Sequence, residues 1–387
     1  MANSIKNPFK GKLFNKPTEK GTPGEDVYEG CKIHYKGLHA NAHNFYKVML
    51  GEENGGKPVL KSDENSKIFF YFADHGAPGL LAMPVTPFNI GYIYADKLNK
   101  TIKQMKEKKM FKEMTMYVEA CESGSMFQDK LSSDLGVYAV SAANATQSSW
   151  GTYCGSDAKV DGKNIGSCLG DLFSVNWMED SDAALMDTET LQEQYETVRR
   201  ETTKSQVLQW GDLSFTSEPL SAFEGTLEKA SNHEKLSSKD LVNSIKGLLA
   251  GNKEHNLKNI GAVDARDAEL SYLFHAYREE PSAENKSALQ EHIEHRETVH
   301  KIFSEVFGEK MSEGILAGEP SPLPTDFDCY RSMIAAYEKN CFNHDEYSLR
   351  YFKAFVHQCE AMANFPEGAQ LIETSLNKIE EVCKNII

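Results

Sequence analysis

His75 and Cys121 are the residues of this chain best placed, by type and setting, to do chemistry. His75 stands in "FFYFADHG", where a continuous apolar run ends in Asp-His-Gly. Cys121 stands in "MTMYVEACESGSMF", where a second apolar run gives way to an acid, the thiol, another acid and a small, flexible tail. A thiolate is a nucleophile, and a nearby imidazole takes its proton and returns it. Gly76 lets the backbone come close, so its amide and that of Cys121 are placed to donate to a developing oxyanion. The competing reading is a core cysteine beside a turn histidine. The D-H-G and E-A-C-E-S-G endings on successive strands argue for the paired site.

The elements that must position these groups are legible around them. Continuous apolar runs of this kind are expected of parallel strands covered on both faces. Between them, "YADKLNKTIKQMKEKKMFK" places Leu98, Ile102 and Met105 at helical spacing with lysines opposite. Strand, helix, strand makes a βαβ unit, whose parallel strands are neighbours. Functional residues collect beyond the carboxyl ends of such strands, which puts the imidazole and the thiol on one rim. "GVYAVSAAN" reads as a further strand and "SQVLQWG" as a last short one, with "SCLGDLFSVNWMED" and "TETLQEQYETVRRET" helical. Residues 1–66 are loop-rich. The first part is therefore α/β.

After about residue 225 the pattern turns helical. Ser237 and Asp240 form a capping box for "DLVNSIKGLLA", closed by Gly251. The polar stretch "GNKEHNLKNIGAVDARDAE" reads as an exposed linker, and a long amphipathic helix runs from Ala283 to about Glu309. "GEPSPLPTD" breaks it, and three more helical patterns follow.

A net charge of −15 argues against a nucleic-acid partner, and no apolar run is long enough to span a membrane. Residues 1–17 carry no apolar leader stretch, which taken alone points to the cytosol. The cysteines disagree. Cys31, Cys121, Cys154 and Cys168 are scattered, but Cys329, Cys341, Cys359 and Cys383 crowd the end of the chain. That crowding reads as two disulfides and an oxidising compartment, the alternative being a reduced, buried set. His34, His39 and His43 lack an acid or thiol nearby, so neither metal nor cofactor is expected.

"FFYFADHGAPGLLAMP", "MYVEACESGSM", "AANATQSSW" and "SCLGDLFSVNWMEDSD" closely resemble the legumain (asparaginyl endopeptidase) family of cysteine proteases, and the resemblance extends through the tail. It implies a caspase-like α/β fold, three-layered around a mainly parallel sheet, followed by an all-helical prodomain. It assigns catalysis to His75 and Cys121, with Gly76 at the oxyanion hole and Asp74 close by. The implied activity is cleavage after Asn, less readily after Asp. An amide is recognised only where both an acceptor and a donor meet it; the family's acceptor side falls on Glu119 and Asp171, with Ser148 and Ser149 lining the same site.

The resemblance also makes the tail an inhibitory cover, stapled by Cys329–Cys359 and Cys341–Cys383. Arg350 is expected to pair with Glu122, and protonation of such acids to loosen the cover as pH falls. Self-cleavage is expected at Asn252, Asn256, Asn259, Asp264 or Asp267. The implied division is a peptidase domain over 1–225, a linker over 226–265 and a prodomain over 266–387. The implied setting is a lysosome- or vacuole-type acidic compartment, or secretion. The expected partners are substrates with exposed Asn, the chain's own prodomain and cystatin-type inhibitors.

In one respect the chain departs from that pattern. The family begins with a strand, a helix and a second strand ahead of the segment matched by residues 1–66. The first of these strands lies centrally, beside the one that ends in histidine, and brings the arginine and histidine of the basic half of the Asn pocket. The expectation is a zymogen truncated at its N-terminus. The alternative is a catalytically inactive decoy or inhibitor; a GPI transamidase-like enzyme fits less well, because of the cysteine-bearing tail.

Overall fold

The computed structural model describes residues 2, 7–84, 91–225, 258–343, 345–363 and 365–387. Helix α1 (Ala42–Met49) starts at Asn41, whose side chain accepts from the Asn44 amide. Strand β1 (Lys67–Ala73) leads into a small antiparallel sheet of β2 (Gly76–Ala77), β3 (Leu80–Ala82) and β4 (Tyr92–Tyr94). Helix α2 (Ala95–Glu107) then returns the chain to β5 (Glu113–Glu119), and β6 (Val137–Ser141) follows. Short strands β7 (Trp150–Thr152), β8 (Lys159–Val160), β9 (Lys163–Asn164) and β10 (Gly170–Asp171) precede α3 (Leu172–Ala183) and α4 (Leu191–Glu201). Helix α4 opens on a capping box of Thr190 and Glu193. β11 (Leu208–Gly211), the one-turn α5 (Ser221–Glu224) and β12 (Val263–Asp264) complete this half. The helical tail comprises α6 (Ala268–Glu279), α7 (Ala283–Phe307), α8 (Glu309–Leu316), α9 (Phe327–Asn340), α10 (Phe352–Met362) and α11 (Gly368–Ile386).

The main sheet runs β1-β5-β6-β11. β1, β5 and β6 are parallel, and β11 closes the sheet antiparallel to β6. Side chains alternate along a strand, so each face builds its own core. Met114, Met116 and Val118 turn toward Leu98, Ile102 and Met105 of α2, which accounts for that helix's apolar stripe. Tyr117, Tyr138 and Val140 turn the other way, onto Phe173 and Trp177 of α3 and Leu191, Tyr195 and Val198 of α4. The first core continues through Leu80, Leu81 and Ile93 into Phe303, Phe327, Tyr330, Tyr337, Phe352 and Phe355 of the tail. Burying each such side chain is worth about 1.5–3 kcal/mol, so sheet and tail are held by a shared interior. Gly79, at φ +69°, sits where a Cβ would come within 2.4 Å of Pro324. Among the described strands, β1 is paired on one side only and most of its residues are half-buried.

Three expectations change. The stretch after residue 257 is not an exposed linker where it is described: Lys258 and Asn259 are buried, and Val263–Asp264 adds a strand antiparallel to β7. The Lys258 amine reaches Glu179 at 2.6 Å, and the Asn259 carboxamide meets Thr203 and Glu201. These polar residues leave water because each finds a partner. The tail disulfides Cys329–Cys359 and Cys341–Cys383 are formed as expected, but Cys154–Cys168 joins them unforeseen. The long helix ends at Phe307 rather than Glu309, stopped by Gly308 at φ +95°. Residues 237–251 and the candidates Asn252 and Asn256 lie outside the described residues.

Candidate active site

The register between β1 and β5 sets the site. Ala73 is opposite Glu119, so His75 and Cys121 each lie two residues beyond the ends of neighbouring strands. The Asp74 amide donates to the Glu119 carbonyl at 3.2 Å and continues the alignment past the last rung. Glycine at 76 is obligatory: a Cβ there would stand 2.3 Å from the Cys121 carbonyl oxygen. Glu122 takes a left-handed conformation, φ +51°, which costs an acidic residue about 1 kcal/mol. Its amide donates to the Gln147 carbonyl at 2.7 Å, and its carbonyl accepts from Ser125. The turn lifts Cys121 out of the strand.

The imidazole and the thiol share this rim without bonding each other. His75 Nε2 lies 3.2 Å from a Glu346 carboxylate oxygen, and its buried Nδ1 has no partner. Burial, the largest influence, disfavours the imidazolium, but Glu346, Asp74 and Asp171 outweigh it and raise the His75 pKa above its ordinary value. Asp74 accepts from the His75 amide at 2.7 Å; burial raises its carboxyl despite the histidine. Cys121 is fully buried, with the Ser149 amide donating to its sulfur at 3.3 Å and the Ser149 hydroxyl 3.5 Å away. Burial pushes its thiol up to about 11; Arg266 opposes this, while Asp264 and Glu122 add to it. In this state the thiol is protonated at neutral pH.

Beside the pair lie two acids, Glu119 and Asp171, close enough for one charge to act on the other. Glu119 Oε2 accepts from the amide and hydroxyl of Ser174, each at 2.8 Å, and Tyr71 donates to that hydroxyl at 2.7 Å. Glu119 Oε1 is buried without a partner. Burial, with Asp171 adding, holds Glu119 well above the carboxylate range. Burial likewise lifts Asp171 to about 6, against the pull of His75. Among the described residues, His75 is the cation whose charge acts on Asp171.

A segment of the chain itself covers the rim. β12 pairs with β7, Asp264 opposite Trp150, and the Ala265 amide donates to the Ser149 carbonyl at 3.0 Å. Ala265 is thereby linked to Cys121 through Ser149, whose own amide donates to the thiol. The following residue, Arg266, is buried and directs Nη2 at both Glu122 oxygens, 2.9 and 2.8 Å away. Lys353 from the tail also reaches Glu122, at 3.2 Å, and the Thr146 carbonyl, at 2.9 Å.

The expected Arg350–Glu122 pair is thus replaced. Arg266 reaches Glu122 first, and Arg350 turns to Asp264 at 3.5 Å and Asp267 at 3.1 Å. Of the two serines expected to line the Asn pocket, Ser149 lies against Cys121 and Ser148 meets the covering segment through Arg266, 3.4 Å away. Asn259 is buried and Asp264 and Asp267 are ion-paired, so the described cleavage candidates are all engaged. Sequence reasoning missed Arg266, Lys353, Glu346 and Ser174. For Arg266 the available signal was its place between two acids in "DARD".

Comparison with known proteins places the chain in a family. The Peptidase C13 family model matches residues 1–226, and the legumain prodomain model matches residues 284–376. The vacuolar-processing enzyme beta-isozyme of Arabidopsis thaliana is 37% identical over 385 residues, covering 93% of this chain and 73% of that protein. The vacuolar-processing enzyme of Vicia sativa is 35% identical, with the same coverage of each. The Arabidopsis thaliana delta-isozyme is 34% identical over 96% of this chain and 80% of its own length.

Proposed function

The chain belongs to the Peptidase C13 family of cysteine-type endopeptidases and carries a legumain prodomain; from that premise we propose that it is a zymogen cleaving after Asn, with Cys121 as nucleophile and His75 as proton carrier. The observation that supports the reading is the aligned ends of β1 and β5, Ala73 opposite Glu119, which set these residues two positions beyond neighbouring strands and beside the acids Glu119 and Asp171. Once the cover leaves, Cys121 sulfur adds to the substrate carbonyl carbon and its proton passes to His75. Amides at Gly76 and Cys121 hold the oxyanion. The amine leaves with the proton from His75, and water hydrolyses the thioester. The unpartnered Glu119 Oε1 is the acceptor for the Asn side-chain NH2 once the carboxyl is ionised. An Asp side chain enters such a pocket only when protonated, which confines that activity to acid pH.

The tail and residues 258–267 form the inhibitory cover. Ala265, not Asn or Asp, is the residue linked to Cys121 through Ser149, so the cover sits in the cleft without offering a preferred bond. Acid opening rests on Asp264. Burial, the largest influence on it, raises its pKa, but Arg266 and Arg350 outweigh that and lower it below 3.8. A carboxyl lowered in the closed form contributes stability above about pH 4 and loses it as pH falls through the lowered value. The His75–Glu346 contact has the opposite sign: it contributes below 6.5 and is lost as pH rises through the raised value. Opening is therefore expected at or below about pH 4.

A second reading, a non-catalytic decoy or inhibitor, is favoured by one observation: no cation but His75 acts on the pocket acids among the described residues. An assay on an Ala-Ala-Asn reporter after acid treatment decides between them. Cleavage that requires the Cys121 thiol supports the enzyme. Cleavage surviving Cys121→Ala removes the mechanism, and none from the native chain favours the decoy.

A further inference from the structure

The loop joining α4 to β11 walls a cavity of about 390 Å³ beside the cleft, lined by Gln147, Arg199, Thr203, Lys204 and Gln206. It is tied to the catalytic rim: the Gln206 amide donates to Gln147 Oε1 at 3.1 Å, and the Gln147 carbonyl takes the Glu122 amide. Lys204 Nζ lies 5.5 Å from the centroid of the Trp150 ring. Neither Arg199 nor Lys204 forms an ion pair with any described residue, in a chain whose net charge is −15. Arg199 bonds the Tyr195 hydroxyl and has no acid against it among the described residues; in so acidic a protein, adjacent cations without an acidic partner lining one cavity point to an anionic occupant.

The covering segment shows which part of a peptide runs on the Lys204 side of the cleft. Residues directly opposite in an antiparallel pair project their side chains to the same face. Asp264 is opposite Trp150, so it shares a face with the ring on which Lys204 rests. Ala265, one residue later, is linked to Cys121 through Ser149. The position immediately before the cleaved residue therefore lies on the Lys204 side, and the chain's own cover places an acid there. In the closed form Arg350 answers that acid from the tail, at 3.5 Å. When the tail leaves, Arg350 leaves with it.

We propose that this cavity is a specificity subsite for an acidic side chain at the residue preceding the cleaved one, with Lys204 and Arg199 as its cations. The proposal rests on the endopeptidase reading above. Both side chains are exposed, so their replacement leaves the core untouched. Exposed ion pairs are individually weak, and the preference expected from the two cations together is about fivefold.

The test uses the acid-treated full-length chain on Asn reporters with Ala, Glu, Asp or Lys before the Asn. Expected kcat/KM is about fivefold higher for Glu and Asp than for Ala and lower for Lys, with the spread collapsing at high salt. The double variant Arg199→Glu, Lys204→Glu should favour the Lys peptide instead, and Lys204→Arg should retain the native order. The same order of peptides in native and double-variant chains would overturn the subsite. If no peptide is cleaved, the endopeptidase reading fails. The subsite is then judged by peptide binding to the acid-treated Cys121→Ala chain, where a Glu peptide no tighter than an Ala peptide overturns it.

Discussion

Arg266→Ala is the perturbation that most directly tests how the cover works. Arg266 and Glu122 form a fully buried pair, with side-chain exposures of 1% and 0%. Removing one member of such a pair costs about 3–5 kcal/mol, because the other is left charged and out of water. Here Lys353 still reaches Glu122 at 3.2 Å, so the lower end, about 3 kcal/mol, is the better figure. At about 1.4 kcal/mol per factor of ten, the closed form loses about 100-fold against the open one.

The readout is alkylation of Cys121 by iodoacetamide in the full-length chain. In the closed state its thiol sits at about 11 and is inaccessible, so the reaction reports opening. Cys31, the exposed free thiol, is an internal reference. Site-resolved mass spectrometry should show the Cys121-to-Cys31 rate ratio rising about 100-fold. Glu122→Gln should act in the same direction, since it orphans Arg266. A ratio within about threefold of native in both variants, with melting unchanged, would refute the buried pair as the latch.

Glu346→Gln should lower the His75 titration midpoint, because the Glu346 carboxylate is the strongest of the groups raising it; an NMR titration showing no downward shift counts against that contact. The pH dependence of stability follows from the buried carboxyls Asp171, Asp180 and Glu224, raised chiefly by burial to about 6, 8 and 7. Raised carboxyls bind protons more tightly folded than unfolded, so stability falls as pH rises from about 4 to 8. Melting temperature should be higher near pH 5 than near pH 8, and the reverse order sinks the assignment. Cys154→Ser opens the loop of sequence separation 14, a loss of about 3 kcal/mol in the chain-entropy model. Because Gly151 packs against both sulfurs, KM should rise along with the loss in thermal stability; unchanged KM would show that the bond does not shape the substrate edge.

How much of this was legible in the sequence depends on where each residue's environment is decided. The strand ends at His75 and Cys121 were readable because their covered strands announce themselves as unbroken apolar runs, and parallel neighbours align their ends. The helix behind them was readable from Leu98, Ile102 and Met105, all of which are buried. Arg266 was not. A charged residue in a polar stretch is normally solvated, and only the distant Glu122 makes its burial tolerable. Asn259 misled for the same reason: its partners Thr203 and Glu201 lie more than 50 positions away. Arg350 was expected at the right interface and on the wrong acid, a choice set by side-chain geometry rather than by composition. Cys154 and Cys168 gave no signal, since their pairing depends on the turn that brings β7 and β10 together.

The strand Val263–Asp264 and the sheet it joins are parts of one polypeptide, and that has a consequence for dose. A tethered blocker meets its cleft at an effective concentration in the millimolar range whatever the amount of protein in solution. Dilution cannot relieve it, and neither can an ordinary excess of competing peptide. After a cut between cover and tail or between cover and sheet, the severed piece becomes an independent ligand, and its occupancy then depends on how much of it is present. Compartment volume, which means nothing to the intact chain, becomes a control variable for the nicked one.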